Sequence, residues 1–168
     1  MTKPVALTIA GSDSGGGAGI QADIKAMEAN GVYAASVLTS VTAQNTQAVQ
    51  MAYDLPTQIV ARQIDAVAND LDIRVAKTGM LSAPEIIETV ADRVQAHDLF
   101  PFVVDPVMIS KSGFKLLKDE AVGTLKDTLI PLATTVTPNV HEAALLAGYD
   151  ILTMDDVKQA ARDIFELG

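Results

Sequence analysis

The sequence contains no cysteine among its 168 residues, so neither a disulfide nor a thiolate metal site is available to it. Positive charge is also scarce: 12 lysine and arginine residues stand against 21 aspartate and glutamate residues, and the formal net charge is −9. A protein that binds nucleic acid through phosphate contacts is usually basic. The charge balance therefore disfavours that class, and we expect no nucleic-acid partner.

Long apolar runs are missing as well. No stretch reaches the ~18 continuous apolar residues that a membrane helix needs, and the short apolar run near the N-terminus opens into a glycine-rich loop, unlike a signal peptide. We therefore expect a cytoplasmic protein with no membrane partner. Hydrophobic residues nevertheless make up 49% of the chain, which at this length predicts one domain with a sizeable core rather than disorder.

Strand-like apolar runs alternate with helical patterns, which favours βαβ units and a parallel sheet. We expect strands at residues 5–10, 34–42, 49–55, 75–78, 102–104 and 134–137. We expect helices at residues 20–30, 56–70, 84–96, 120–130 and 155–167, and another that begins at 138–139. Gly31 is expected to stop the first helix and Gly168 to cap the last. No strand follows that last helix, although a βαβ protein normally continues with one, so we expect a domain truncated at its C-terminus.

The most informative segment is the glycine-rich loop after the first expected strand, Gly11-Ser-Asp-Ser-Gly-Gly-Gly-Ala-Gly19. Such a loop before a helix is a common anion site. Gly17-Ala-Gly19-Ile-Gln-Ala22 loosely matches the dinucleotide fingerprint, but residues 36–44 lack the acidic residue that this fingerprint requires. The loop also lacks the lysine of a Walker A sequence. Both common phosphate loops are disfavoured, and a tight turn without a ligand is the structural alternative.

Other polar residues near expected strand ends and helix starts each have two interpretations. Asp23 can complement the helix dipole or accept a hydrogen bond from a substrate hydroxyl. Gln44 can be a solvated loop residue or can pair with one edge of a heterocycle. Asp105 follows a strand, where α/β sheets bind ligands, but Asp-Pro is also an ordinary turn.

The later segments have the same ambiguity. Lys111-Ser-Gly113 can close over a site or be a solvated loop. Asn139 and Glu142 have the spacing of a capping box and can also lie near a Mg²⁺–phosphate group. The two histidines, His97 and His141, are expected at the surface.

Together these residues resemble the hydroxymethylpyrimidine/phosphomethylpyrimidine kinases of thiamine biosynthesis, in the pyridoxal-kinase-like branch of the ribokinase-like superfamily. The matching segments run in order through nearly the whole chain: Ala6–Ser14, Gly16–Asp23, Val41–Thr46, Lys77–Leu81, Val104–Met108, Lys111–Gly113 and Thr137–Glu142. The resemblance implies a three-layer α/β/α ribokinase-like fold with a mostly parallel central sheet. It also implies that residues 1–168 are the N-terminal part of a single kinase domain.

The resemblance further implies a site with two sides. Gln44 would pair with the pyrimidine edge and Asp23 would hold the hydroxymethyl group, so that the substrate-binding set is Gln44, Asp23, Gly11, Ala18, Met80 and Val107. The ATP–Mg²⁺ side would comprise Asp105, Asn139, Glu142 and Lys111. Within that second set, Asp105 and Glu142 would be the metal ligands.

The activity that the resemblance implies is ATP-dependent phosphorylation of 4-amino-5-hydroxymethyl-2-methylpyrimidine and then of its monophosphate, by a homodimer. In this family the catalytic base is an aspartate in a late glycine loop, and after Glu142 the chain has only Gly148 and Gly168. We therefore expect no catalytic base within residues 1–168 and an impaired kinase. The alternatives are a pyridoxal or pyridoxine kinase, a non-catalytic pyrimidine-binding module and, less favoured, a dinucleotide-dependent oxidoreductase.

Overall fold

The computed structural model describes residues 3–108 and 116–168, so the expected loop Lys111-Ser-Gly113 lies outside the described residues. Within these ranges six strands form one sheet in the order β3-β2-β1-β4-β5-β6. The strands are β1 (Val5–Asp13), β2 (Tyr33–Gln44), β3 (Val49–Asp54), β4 (Ile73–Thr78), β5 (Phe102–Val104) and β6 (Thr135–Val136). Neighbours are parallel except for the antiparallel pair β2 and β3. The expected α/β class with a mostly parallel sheet is confirmed.

Six helices connect or follow these strands in the part of the chain that the structure describes. They are α1 (Gly19–Ala29), α2 (Thr57–Ala68), α3 (Pro84–Ala96), α4 (Asp119–Thr124), α5 (Val140–Ala147) and α6 (Met154–Phe165). Helix α4 passes into a π turn at Leu125–Leu129 and a 3₁₀ turn at Ile130–Leu132. The expectation that 120–130 is helical is confirmed, although the helix changes type along its length. Pro131, which lacks a backbone N–H, disfavours a continuing α-helix there.

Strand β1 lies at the centre and is buried on both faces. Leu7 and Ile9 belong to the main core together with residues of α2 and α3, among them Ile64 and Ile87, and all four side chains are fully buried. The alternate residue Thr8 is also fully buried and donates a hydrogen bond to Asp23 on α1. Because successive strand residues point to opposite faces, α1 covers one face of the sheet and α2 and α3 cover the other.

Two expectations about helix ends have different outcomes. Gly31 follows α1 with a φ of 76° and its N–H bonds to the carbonyl of Glu28, as expected of a stop signal. The expected cap at Gly168 is wrong, since α6 ends at Phe165 and Glu166 at its C-cap is right-handed. The N–H groups of Leu167 and Gly168 bond to the carbonyls of Ile164 and Phe165. These bonds satisfy the end of the helix without a left-handed residue.

One expectation about the histidines is also corrected. His141 is exposed, but the side chain of His97 is only 18% exposed, with Nε2 lying 2.8 Å from Oδ1 of Asp65. His97 is the C-cap residue of α3, and Asp65 belongs to α2. The packing of α2 against α3 therefore covers this ring. No helix in the described ranges has the length and apolar character needed to cross a membrane.

Candidate functional site

A pocket of about 570 Å³ opens where β1, β4 and β5 end. Its wall is formed by the glycine loop, the start of α1, the segments that follow β4 and β5, and the tip of the β2–β3 hairpin. After β1 the chain adds β2 and β3 on one side and then crosses to β4 on the other. Open α/β sheets bind ligands at such a reversal of strand order, beyond the carboxyl ends of the strands.

The glycine loop is organised by Asp13, a buried residue that is 5% exposed. Its Oδ1 accepts a hydrogen bond from the N–H of Gly15 at 2.8 Å, and its Oδ2 accepts from Gly17 at 2.9 Å and Ala18 at 2.8 Å. Backbone N–H groups of such loops bind anions in phosphate-binding proteins. Here the chain's own carboxylate occupies these donors, which agrees with the failed phosphate-loop fingerprints.

Two glycines of this loop have close neighbours at the place that a Cβ would take. A Cβ on Gly11 would lie 2.6 Å from Cε of Met80 and 2.8 Å from Oγ of Ser40. Gly19 has a φ of 54°, and a Cβ there would lie 2.2 Å from the carbonyl oxygen of Gly11. The two ends of the loop therefore touch, and this close approach gives the pocket its wall beside Met80.

Gln44 lies at the end of β2, where hydrogen bonds to the glycine loop hold its backbone. Its backbone N–H donates to Oγ of Ser14 at 2.8 Å, and the same hydroxyl donates to the carbonyl oxygen of Gln44 at 2.6 Å. The hydroxyl of Thr42 lies 3.1 Å from Oε1 of Gln44 and 2.9 Å from the carbonyl oxygen of Ser12. The glycine loop and the hairpin thus hold each other, with the half-buried amide of Gln44 lining the pocket between them.

Three charged side chains from different elements meet at the floor of the pocket. Lys77 of β4 places Nζ 3.1 Å and 3.2 Å from the two carboxylate oxygens of Asp23, and 3.8 Å from Oδ2 of Asp105. Thr8 donates to Oδ2 of Asp23 at 2.5 Å. Burial raises the pKa of the Asp105 carboxyl, and the nearby Asp23 charge adds to that rise, whereas Lys77 opposes it.

Asn139 and Glu142 form the expected capping box at the start of α5. The Asn139 side chain accepts hydrogen bonds from the N–H groups of His141 and Glu142, and Oε2 of Glu142 accepts from the N–H of Asn139 at 2.8 Å. The other oxygen of Glu142 accepts from the N–H of Met108 at 3.4 Å. Neither residue lines the pocket, so their nucleotide and metal roles stay predictions.

All six residues expected to bind the substrate line this one pocket: Gly11, Ala18, Asp23, Gln44, Met80 and Val107. Asp105 lines the same pocket. Lys111 lies outside the described residues. No group of three or more histidine and acidic side chains suited to a metal occurs in the described ranges.

Sequence reasoning did not assign Lys77 or Thr8 to the site. Both residues stand within largely apolar strands, and a polar side chain that is buried there needs a hydrogen-bonding partner. This pattern was the signal in the sequence that could have identified them.

Comparison with known proteins gives a consistent result. The sequence model of phosphomethylpyrimidine kinase matches residues 13–168. The chain is 50% identical over 163 residues to a hydroxymethylpyrimidine/phosphomethylpyrimidine kinase of Bacillus subtilis, which covers 97% of this chain and 60% of that relative. The chain therefore spans about three fifths of that protein's length.

Two solved structures show the same fold. A phosphomethylpyrimidine kinase from Clostridium difficile superposes with a TM-score of 0.93 at 49% identity, covering 99% of this chain and 72% of the other. The pyridoxal kinase of Bacillus subtilis, solved as an ADP complex, superposes with a TM-score of 0.89 at 37% identity, covering 99% of this chain and 62% of the other.

Proposed function

The chain belongs to the phosphomethylpyrimidine kinase family, and on this basis we propose that its pocket binds 4-amino-5-hydroxymethyl-2-methylpyrimidine and its monophosphate. Both compounds would be phosphorylated in thiamine biosynthesis, with ATP as the phosphate donor. The observation that carries the proposal is the convergence of Gln44, Asp23 and the apolar wall in one pocket at the reversal of strand order.

The pocket suits a small heterocycle. Its volume of about 570 Å³ lies within the usual range for small-molecule sites, which are mostly apolar with a few placed polar groups. Met80, Val107 and Ala18 supply apolar contact to the ring faces. The amide of Gln44 both donates and accepts, which matches an aminopyrimidine edge that presents an amino group beside a ring nitrogen.

Asp23 is the proposed partner of the hydroxymethyl group. Thr8 and Lys77 hold its carboxylate in place, so it can accept the hydroxyl proton in a hydrogen bond without reorganising. Phosphoryl transfer depends mainly on such positioning and on electrostatic stabilisation. Holding the alcohol at a fixed place is therefore the contribution that this part of the pocket makes.

Asp105, Asn139, Glu142 and Lys111 are proposed on the ATP–Mg²⁺ side. Asp105 fits a magnesium ion, because its carboxylate is a hard oxygen donor on the pocket wall. Each oxygen of Glu142 accepts one backbone hydrogen bond and keeps a second lone pair, so Glu142 would hold the ion directly or through a water. Bound magnesium would neutralise phosphate charge during transfer.

The wider biological assignments are proposals too. We propose that the protein is cytoplasmic, that it works as a homodimer, and that residues 1–168 belong to a single ribokinase-like kinase domain. The family resemblance supports all three. Light scattering coupled to size exclusion tests the dimer, because a monomeric mass at micromolar concentration would contradict it.

Calorimetry on the 168-residue chain tests the binding function. We expect the hydroxymethylpyrimidine to bind, its monophosphate to compete, and neither pyridoxal nor NAD to compete. Stronger binding of pyridoxal would favour a pyridoxal kinase, a class that the structural comparison also matches. ADP formation with MgATP is measured separately, because binding without turnover would favour a pyrimidine-binding module.

A further inference from the structure

One pocket-lining side chain in the described residues carries positive charge, that of Lys77. It is 21% exposed, and its β4 position pairs with Thr8 of β1, beside the reversal of strand order. Its Nζ lies within 3.8 Å of carboxylate oxygens from both Asp23 and Asp105. The ammonium group therefore lies between the proposed alcohol side and the proposed nucleotide side of the pocket.

Negatively charged side chains outnumber positively charged ones among the described residues that line the pocket. Asp13, Asp23 and Asp105 line it together with Lys77. The carboxylate of Asp13 is met by three N–H groups of its own loop, which leaves Asp23 and Asp105 to share one ammonium group. A neutral alcohol can bind beside this cluster without a new charge penalty.

A phosphate ester at the same place has a different requirement. It carries about −1.5 to −2 charges at neutral pH, and two nearby carboxylates would repel it. The relatives are nevertheless named as kinases of both the hydroxymethylpyrimidine and the phosphomethylpyrimidine. If the proposed function is correct, one pocket must accept both compounds.

Resting on that function, we propose that Lys77 determines whether the pocket accepts the phosphorylated pyrimidine. With the alcohol bound, Lys77 pairs with Asp23 and Asp105. With the monophosphate bound, its ammonium group turns to the phosphate oxygens, which it can reach because the phosphate occupies the hydroxymethyl end beside Asp23. A lysine suits this exchange, since its ammonium has three donors on a flexible stem.

The test measures the affinities for the alcohol and for the monophosphate by calorimetry without ATP. The pH is about 8, because a phosphate monoester, whose second pKa is about 6, is then a dianion. Lys77→Met should weaken binding of the monophosphate by about 10- to 100-fold, as expected for loss of a charge-assisted hydrogen bond. Binding of the alcohol should weaken less than binding of the monophosphate, because Thr8 still holds Asp23 when the Lys77 charge is removed. Lys77→Arg keeps the charge and should retain most of the monophosphate affinity.

For a second variant, we expect the affinity for the monophosphate to change in the opposite direction. Asp105→Asn removes one of the two carboxylates that compete for Lys77, so it should tighten monophosphate binding about fivefold relative to alcohol binding. Lys158→Met is the matched control, because it removes one lysine charge from an exposed ion pair with Asp155. This control should leave both affinities as they are.

The outcomes separate the two proposals. Equal losses for both compounds in Lys77→Met, or no loss for the monophosphate, would overturn the role of Lys77 while the proposed function stands on the unsubstituted chain. Failure of the unsubstituted chain to bind either compound would overturn both proposals. If Lys77→Met does not fold, Lys77→Gln takes its place under the same criteria: a selective loss for the monophosphate supports the role of Lys77, and equal losses or no loss overturn it.

Discussion

Gln44 and Asp13 show two ways in which a single polar side chain serves this pocket. Gln44 lines the pocket, with its backbone held by Ser14. Asp13 instead accepts hydrogen bonds from N–H groups of the glycine loop, so these groups are not free to bind a phosphate and the loop forms a wall of the pocket. At the residue scale, recognition and support of the site are therefore separable by substitution.

Gln44→Ala should weaken binding of the hydroxymethylpyrimidine by about 1–3 kcal/mol, because it leaves the polar edge of a buried heterocycle without its partner. Calorimetry on the purified chain measures this difference. Gln50→Ala is the matched control, since Gln50 is exposed on β3 and does not line the pocket. An unchanged affinity in Gln44→Ala would remove Gln44 from recognition.

Asp13→Asn should lower the free energy of unfolding by about 1.5–3 kcal/mol, the usual worth of hydrogen bonds to a charged group. An asparagine keeps one acceptor oxygen, but its NH₂ group would face the N–H groups that Oδ2 now accepts from. Urea unfolding measures the change, and Asp72→Asn serves as a control because Asp72 is 75% exposed in a surface pair. Equal stability of the two variants would show that the loop does not depend on Asp13.

At the element scale, local pattern predicted most helices and strands but not all of their ends. The bounds of α3 and β5 agree with expectation, and the capping box of Asn139 and Glu142 is present. Strand β1 runs three residues beyond the apolar run, to Asp13, because pairing with β2 extends it past a register shift near Gly11. Such pairing depends on a neighbouring strand and leaves no local pattern.

The ion cluster between α2 and α3 predicts how stability depends on pH. The hydrogen bond from His97, and then the Arg93 guanidinium, hold the pKa of the Asp65 carboxyl below its usual range, although burial opposes them. A carboxylate whose pKa is lower in the folded state than in the unfolded state stabilises the fold. This stabilisation is fully present above the unfolded-state pKa and is lost as the pH falls through the folded-state pKa.

Asp65→Asn should therefore be less stable than the unsubstituted chain at neutral pH, and the difference should shrink as pH falls below about 4. Denaturant unfolding across this range measures it. Asp155→Asn, in an exposed pair with Lys158, provides the comparison for a surface carboxylate. A difference that stays constant down to strongly acid pH would contradict the assignment.

At the scale of the whole molecule, the order of strands decides which groups meet. Lys77 and Asp23 are 54 residues apart in the chain, and they touch because β4 crosses to the free side of β1 while α1 covers the same end of the sheet. Ligand binding at this junction should stabilise the folded state as a whole, since the pocket walls come from the loop after β1, the hairpin and the ends of β4 and β5.

Saturating hydroxymethylpyrimidine, at about 100 times its dissociation constant, should raise the free energy of unfolding by about 2.7 kcal/mol. For a chain of this size, that corresponds to a rise of several degrees in the melting temperature. Differential scanning fluorimetry measures the shift, and Gln44→Ala should reduce it at the same ligand concentration. No shift with the unsubstituted chain would contradict binding in this pocket.

Local sequence determined the elements, the capping box and the character of the glycine loop, because each depends on residues only a few positions apart. It also supplied the resemblance from which the six pocket residues were expected. The tertiary structure alone decided that β3 pairs antiparallel with β2, that His97 is covered by α2, and that Lys77 and Thr8 join Asp23. These contacts follow from strand order and helix packing, which bring together residues that no local pattern connects.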